Sequence, residues 1–132
     1  QYRKLGEKGI SISAIAMGCW ALAGDATWGP QDLAESVATV LAALDAGVNL
    51  FDTAEMYGRG QSERFLGGFV RKLVAAGGER PIIATKYMPY PWRLTRGRLI
   101  TALRDSLERL GLAQVVLAGE EERAALHHRW GP

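Results

Sequence analysis

Three side chains of this chain form a set able to hand a proton to a reacting carbonyl: Asp52, Tyr57 and Lys86. They stand in Phe51-Asp52-Thr53-Ala54-Glu55-Met56-Tyr57-Gly58 and in Ile82-Ile83-Ala84-Thr85-Lys86, with Gly60-Gln61-Ser62-Glu63 between. Asp52 and Lys86 each close an apolar run, and Tyr57 falls in the loop after the first. A free phenol keeps its proton until about pH 10, so it is a reluctant acid near neutrality. A lysine ammonium nearby favours the phenolate and makes the phenol a readier donor. Acid, lysine and tyrosine together are the groups needed for a phenol to act as general acid, and they point to carbonyl reduction by hydride. Taken singly, each residue has an ordinary reading: a turn acid, a packed ring, a solvated amine. The weight lies in the constellation.

Such a set needs elements to bring it together. Tyr2 to Leu5 and Ile10 to Ser13 flank Gly6-Glu7-Lys8-Gly9, which reads as a β-hairpin. Ala14 to Gly18 is a short apolar run, a candidate buried strand. Ala21 to Pro30 is loop. Asp32 with Glu35 three residues on is a capping arrangement. It opens a helix with Leu33, Val37, Val40, Leu41 and Leu44 on one face, and Gly47 supplies a left-handed residue to end it. Val48 to Phe51 is the second strand. Ser62 is expected to cap a second helix, with Phe65, Leu66, Phe69, Val70 and Leu73 on one face and Gly77-Gly78 at its end. Ile82 to Thr85 is the third strand, closed by Lys86. Thr95 caps a third helix carrying Leu99, Ile100, Leu103, Leu107 and Leu110, with Gly111 after it. Gln114 to Leu117 is a fourth, weaker strand.

Alternating strand and helix means a parallel sheet. A doubly wound sheet wants a glycine-rich phosphate loop after its first strand, and Gly18-Cys19-Trp20 does not supply it. A (β/α)8 TIM barrel gathers its chemistry at the C-terminal ends of several strands, which suits Asp52, Tyr57 and Lys86. That placement predicts that the three converge at one end of the sheet, with Asp52 and Lys86 close enough to pair. A whole barrel takes about 250 residues. This chain has 132, so the expectation is a partial barrel: about four β/α units preceded by the hairpin.

Composition narrows the partners. A hydrophobic share of 48% is enough for a globular core. A net charge of +2 gives no argument for nucleic acid or an anionic membrane. Arg93, Arg96, Arg98, Arg104 and Arg109 cluster, and the expected reading is a solvated helix face. Cys19 is the only cysteine, so the chain offers no internal disulfide framework and no zinc spacing. It reads as a small buried residue. No secretory or membrane-spanning stretch is visible, and the cytoplasm is the expected compartment.

With these pieces in place the sequence resembles an aldo-keto reductase. Tyr2-Arg3-Lys4-Leu5-Gly6 resembles the hairpin that plugs the bottom of that barrel, and Met17-Gly18-Cys19-Trp20 its first-strand signature. Asp45-Ala46-Gly47-Val48-Asn49-Leu50-Phe51-Asp52-Thr53-Ala54 with Tyr57-Gly58 is similar to the family's most specific motif. Ala84-Thr85-Lys86 resembles the third-strand lysine motif, and Leu107-Glu108-Arg109-Leu110-Gly111-Leu112 the end of the third helix. Met88-Pro89-Tyr90-Pro91-Trp92-Arg93 resembles a bacterial or plastid-like branch.

The resemblance implies a small-molecule aldehyde or ketone as substrate and NADPH as cofactor. It implies Tyr57 as general acid, Lys86 beside it and Asp52 paired with Lys86. Gly18, Cys19, Trp20 and Asp52 are the candidate cofactor-binding residues. Trp20 has the best position for a pocket wall, while Trp28 and Trp92 suit either a pocket or ordinary packing. No metal is implied.

The pattern breaks after residue 117. The family's fourth catalytic residue, a histidine, would fall at position 121, where this chain has Glu121 inside Glu120-Glu121-Glu122. A glutamate there is a feature of family members that reduce carbon–carbon double bonds. A charge run is also an ordinary solvated face, and His127, His128 and Trp130 stand in a displaced position. The expected division is residues 1–117 as the N-terminal half of the barrel and 118–132 as a divergent tail, resembling a shifted reading frame. Two consequences are expected. The 132-residue chain alone does not reduce carbonyls, and it self-associates through exposed sheet edges. The alternative to an enzyme is a non-catalytic half barrel.

Overall fold

The computed structural model describes residues 1–6 and 9–118, and of 116–118 the backbone alone. Strand β1 (Tyr2–Lys4) pairs antiparallel with β2 (Ser11–Ser13), Tyr2 opposite Ser13. Asn49 fastens this hairpin to the rest of the molecule. Its side chain accepts the Ser13 N–H at 2.7 Å and donates to the Ser11 carbonyl at 3.0 Å. The Tyr2 hydroxyl adds a bond to the Gly47 carbonyl at 2.9 Å. Both anchors precede a strand of the main sheet, so the hairpin sits at the sheet's N-terminal end.

The main sheet holds β3 (Met17–Gly18), β4 (Leu50–Asp52), β5 (Ile82–Lys86) and β6 (Val116–Ala118), all parallel, in that spatial order. Sequential order without a switch point is barrel topology; a doubly wound sheet reverses its order partway. The expected partial (β/α)8 barrel is therefore what the structure holds. The register sets Gly18 beside Asp52 and Asp52 beside Ala84, so β3 and β4 end level and β5 runs two residues further, to Lys86.

Two strand bounds differ from expectation. The run from Ala14 pairs only at Met17 and Gly18, because the Ser13 hydroxyl takes the Ile15 carbonyl and Ala14 to Ala16 remain exposed. The second strand starts at Leu50 rather than Val48, whose N–H is spent on Ala43 in closing the preceding helix.

Helix α1 (Leu33–Asp45) is capped as its sequence predicts, Asp32 Oδ1 accepting the Glu35 N–H at 2.9 Å. Helix α2 (Gln61–Ala75) is not. Its cap position is Gly60, left-handed at φ 87°, and Ser62 lies inside the first turn with no exposure. Helix α3 (Arg96–Leu110) is capped by Thr95 and ended by left-handed Gly111. It buries Ala102, Ser106 and Leu110, while Ile100, expected on the core face, is exposed. Gly67 lets α2 and α3 touch: a Cβ there would come within 2.5 Å of the Leu110 carbonyl oxygen. Between helices and sheet lies a core of Cys19, Val40, Phe51, Leu66, Phe69, Val70, Ile83 and Leu110.

The expected solvated arginine face is corrected at two positions. Arg109 pairs with Glu63 at 2.6 Å and Arg93 with Glu55 at 2.8 Å, because each meets a carboxylate brought from a distant segment. Residues 119–132 of the tail expected over 118–132, with Glu121, His127, His128 and Trp130, lie outside the described residues.

Candidate active site

The ends of β4 and β5 bring the predicted trio together. Lys86 Nζ donates to Asp52 Oδ2 at 2.8 Å, to the Thr53 carbonyl at 2.8 Å and to the Tyr57 hydroxyl at 3.3 Å. An ammonium has three protons, so this one has an acceptor for each. Its nitrogen also lies 5.0 Å from the Tyr57 ring centre. Lys86 keeps 18% of its side-chain surface exposed and Asp52 36%, so the group is held in the protein yet open to a ligand.

Tyr57 reaches the lysine from a tight turn. Gly58 and Arg59 both take left-handed conformations, at φ 56° and φ 54°. Arg59 is the one non-glycine residue of that kind among the described residues. Such backbone costs free energy and gathers where the surrounding structure enforces it. Here Gly58 must pass Ala23: a Cβ at Gly58 would meet the Ala23 Cβ at 2.7 Å. The Tyr57 ring stacks on Trp20, centroids 5.5 Å apart and planes 13° from parallel. Trp20 in turn meets Trp28 edge to face at 5.9 Å and donates its indole N–H to Asp25 at 3.0 Å. This aromatic file fixes the plane of the phenol.

The four candidate cofactor residues separate in the structure. Gly18 is exposed, and a Cβ there would meet nothing within 4 Å. Trp20 is 43% exposed. Asp52 keeps part of its side chain exposed while it pairs with Lys86. Cys19 differs: it is fully buried, its N–H donates to the Asp52 carbonyl and its carbonyl accepts the Ser62 hydroxyl. Burial, and next the Asp52 charge, push its thiol up to about 12. Cys19 therefore offers a ligand neither its side chain nor its N–H. Trp92 is exposed on the rim, stacked on Tyr90 at 4.9 Å.

Sequence reasoning missed two sets of residues. Glu55 accepts from both terminal nitrogens of the Arg93 guanidinium and from the Met88 N–H, and so clamps the loop after β5 to the loop after β4. Ser62 and Glu63 are fully buried beneath the site. A signal for them was available: Glu63 shares the 63, 66, 67, 70 face with Leu66 and Val70, which is the buried face of α2.

A parallel β/α sheet with an acid, a lysine and a tyrosine joined at its strand ends defines a class of barrel protein, and the sequence comparisons give the family. A sequence model of the Aldo/keto reductase family matches residues 14–117. The chain belongs to this family. It is 40% identical over 114 residues to the chloroplastic pyridoxal reductase of Arabidopsis thaliana, covering 80% of this chain and 31% of that protein. It is 37% identical over 119 residues to the aldo-keto reductase YhdN of Bacillus subtilis, covering 83% and 34%. An aldo/keto reductase from Klebsiella pneumoniae, solved with NADP and acetate, superposes with a TM-score of 0.64 at 30% identity, over 83% of this chain and 35% of that one. The chain thus spans about a third of the length of the curated relatives it matches.

Proposed function

We propose that Asp52, Tyr57 and Lys86 form the proton-donating corner of an NADPH-dependent reductase that converts an aldehyde or ketone to an alcohol. The observation that carries this reading is the Lys86 ammonium, shared between the Asp52 carboxylate and the Tyr57 hydroxyl. In the reduction the Tyr57 O–H proton passes to the carbonyl oxygen while the carbonyl carbon gains hydride. The phenolate left behind lies beside the Lys86 ammonium, which opposite charge favours. Asp52 and the Thr53 carbonyl hold that ammonium in place, and Trp20 holds the ring.

The residues present fit the nicotinamide end of the cofactor. Gly18 leaves open space against the strand ends, Trp20 offers an aromatic wall, and Asp52 gives Oδ2 to Lys86 with its side chain still partly exposed. Gly18, Trp20 and Asp52 are the residues that would hold it. When bound, NADPH supplies the hydride. A relative solved with NADP supports the assignment. The single cysteine, free and buried, suits a reducing compartment such as the cytoplasm. Among the described residues no helix is long and apolar enough to cross a membrane.

A second reading, a non-catalytic half barrel that self-associates, rests on β3 and β6, which have no outer neighbour among the described residues. NADPH consumption with a reactive aromatic aldehyde, compared before and after Tyr57→Phe in a chimera that joins residues 14–117 to the rest of the Bacillus subtilis relative, separates the two.

A further inference from the structure

The first turn of α2 buries two adjacent polar side chains completely, Ser62 and Glu63. Burial of such groups is costly unless each finds partners. Ser62 Oγ accepts the Thr53 hydroxyl at 2.8 Å and donates to the Cys19 carbonyl at 2.7 Å. Glu63 Oε1 accepts the Thr85 hydroxyl at 2.6 Å, and Oε2 accepts Arg109 Nε at 2.6 Å. Thr53 and Thr85 are buried as well. One helical turn therefore holds the ends of three strands: Cys19 after β3, Thr53 after β4 and Thr85 in β5.

The Thr53 and Thr85 contacts each lie one residue from the proton-donating corner. Thr53 follows Asp52, and its own carbonyl is one of the three acceptors of Lys86. Thr85 precedes Lys86. A lysine side chain is a flexible stem, so its ammonium is placed only as well as its acceptors are. Two of those acceptors, Asp52 and the Thr53 carbonyl, belong to the segment that Ser62 fixes. The backbone from which the stem departs belongs to the strand that Glu63 fixes. We infer that Ser62 and Glu63 are positioning residues for the Lys86 ammonium, acting through the hydroxyls of Thr53 and Thr85. The inference rests on the reading of Lys86 as part of a proton-donating site.

A role in folding alone would stabilise the chain without governing the ammonium. The hydrogen exchange of the lysine ammonium groups separates these roles, measured by nuclear magnetic resonance on the 132-residue chain made with isotope-labelled lysine. Only Lys4, Lys8, Lys72 and Lys86 contribute signals, and Lys86→Arg assigns the fourth. In the unsubstituted chain the Lys86 ammonium is expected to exchange slowest. Thr53→Val removes the Thr53–Ser62 hydrogen bond, Ser62→Ala removes it together with the bond to the Cys19 carbonyl, and both keep every charge. Each is expected to speed Lys86 exchange about fivefold, the scale of one lost hydrogen bond. Thr53→Ser restores the hydroxyl and is expected to restore slow exchange. Ser106→Ala, which removes the Arg109 contact at 3.1 Å, is expected to leave Lys86 unchanged. The inference is overturned if Lys86 in the unsubstituted chain exchanges as fast as the other lysines. It is also overturned if folded Thr53→Val or Ser62→Ala leaves its rate unchanged, or if Thr53→Ser behaves as valine does. Should Thr53→Val not fold, the Ser62→Ala result and the ranking in the unsubstituted chain still decide. No turnover enters this measurement. If exchange behaves as stated while Tyr57→Phe leaves reduction intact in a chimera completed by a relative, the catalytic reading falls and the positioning stands.

Discussion

Lys86 Nζ lies 2.8 Å from Asp52 Oδ2, although 34 residues separate them in the chain. The strand register explains the meeting. Asp52 is level with Ala84, so Lys86 emerges two residues higher on β5 and its stem leans back across the end of β4. The pair is partly open to water, and exposed pairs contribute little to stability. Its effect is to orient the ammonium.

Asp52→Asn is therefore expected to change the unfolding free energy by less than about 1 kcal/mol. Urea unfolding of the two proteins checks this. A loss of several kcal/mol would make the pair a structural element instead.

The ion pair beneath it behaves in the opposite way. Glu63 has no exposure, and Arg109 loses its carboxylate partner if Glu63 is shortened. Glu63→Ala is expected to cost about 3–5 kcal/mol, the usual penalty for breaking a buried pair from one side. The same urea experiment reads it. Near-wild-type stability would show that Arg109 finds water or another acceptor at no cost.

Cys19 is expected to resist alkylation in the folded chain at mildly alkaline pH, because its thiol stays protonated and buried. Its ordinary value is 9.0 and its folded value about 12. Between these limits the unfolded chain releases the proton and the folded chain keeps it. The contribution to stability is thus full below 9.0 and declines as pH rises toward 12. Thiol labelling against pH, run beside thermal melts, tests both statements. Labelling that outpaces unfolding near neutral pH would contradict them.

The strand ends were legible in the sequence because each apolar run stops at one polar residue, Asp52 or Lys86. A side chain at the end of a parallel strand has few directions in which to point. The hairpin and the caps at Asp32 and Thr95 were legible for a similar reason: each depends on residues three or four apart. Ser62 misled because serine before an apolar helical run usually caps it, whereas the left-handed Gly60 takes that position. The contacts of Glu63 were not legible. Its partners Thr85 and Arg109 lie 22 and 46 residues away, so only the packing of α2 against β5 and α3 brings them together. The start of β3 was overextended because apolar content at Ala14 to Ala16 does not ensure a pairing partner.

Association is the next expectation. Among the described residues β3 and β6 each have one free edge, and a free edge offers unpaired backbone groups to another chain. The 132-residue chain is expected to self-associate in solution, with a mass that falls on dilution. Light scattering across concentration measures this. A dilution-independent monomer with a cooperative melt would show that these edges are covered.

Proton donation by Tyr57 beside Lys86 is the step on which the proposed reduction turns. It is tested most directly by NADPH consumption with a reactive aromatic aldehyde. The 132-residue chain alone is expected to show none, since its match extends over about a third of each relative and hydride must be positioned as closely as the acid. A chimera in which residues 14–117 replace the matching segment of the Bacillus subtilis relative is expected to consume NADPH. In that chimera Tyr57→Phe is expected to lower turnover at least about a hundredfold, the scale of a lost general acid. A folded chimera whose turnover is unchanged by Tyr57→Phe would contradict the account.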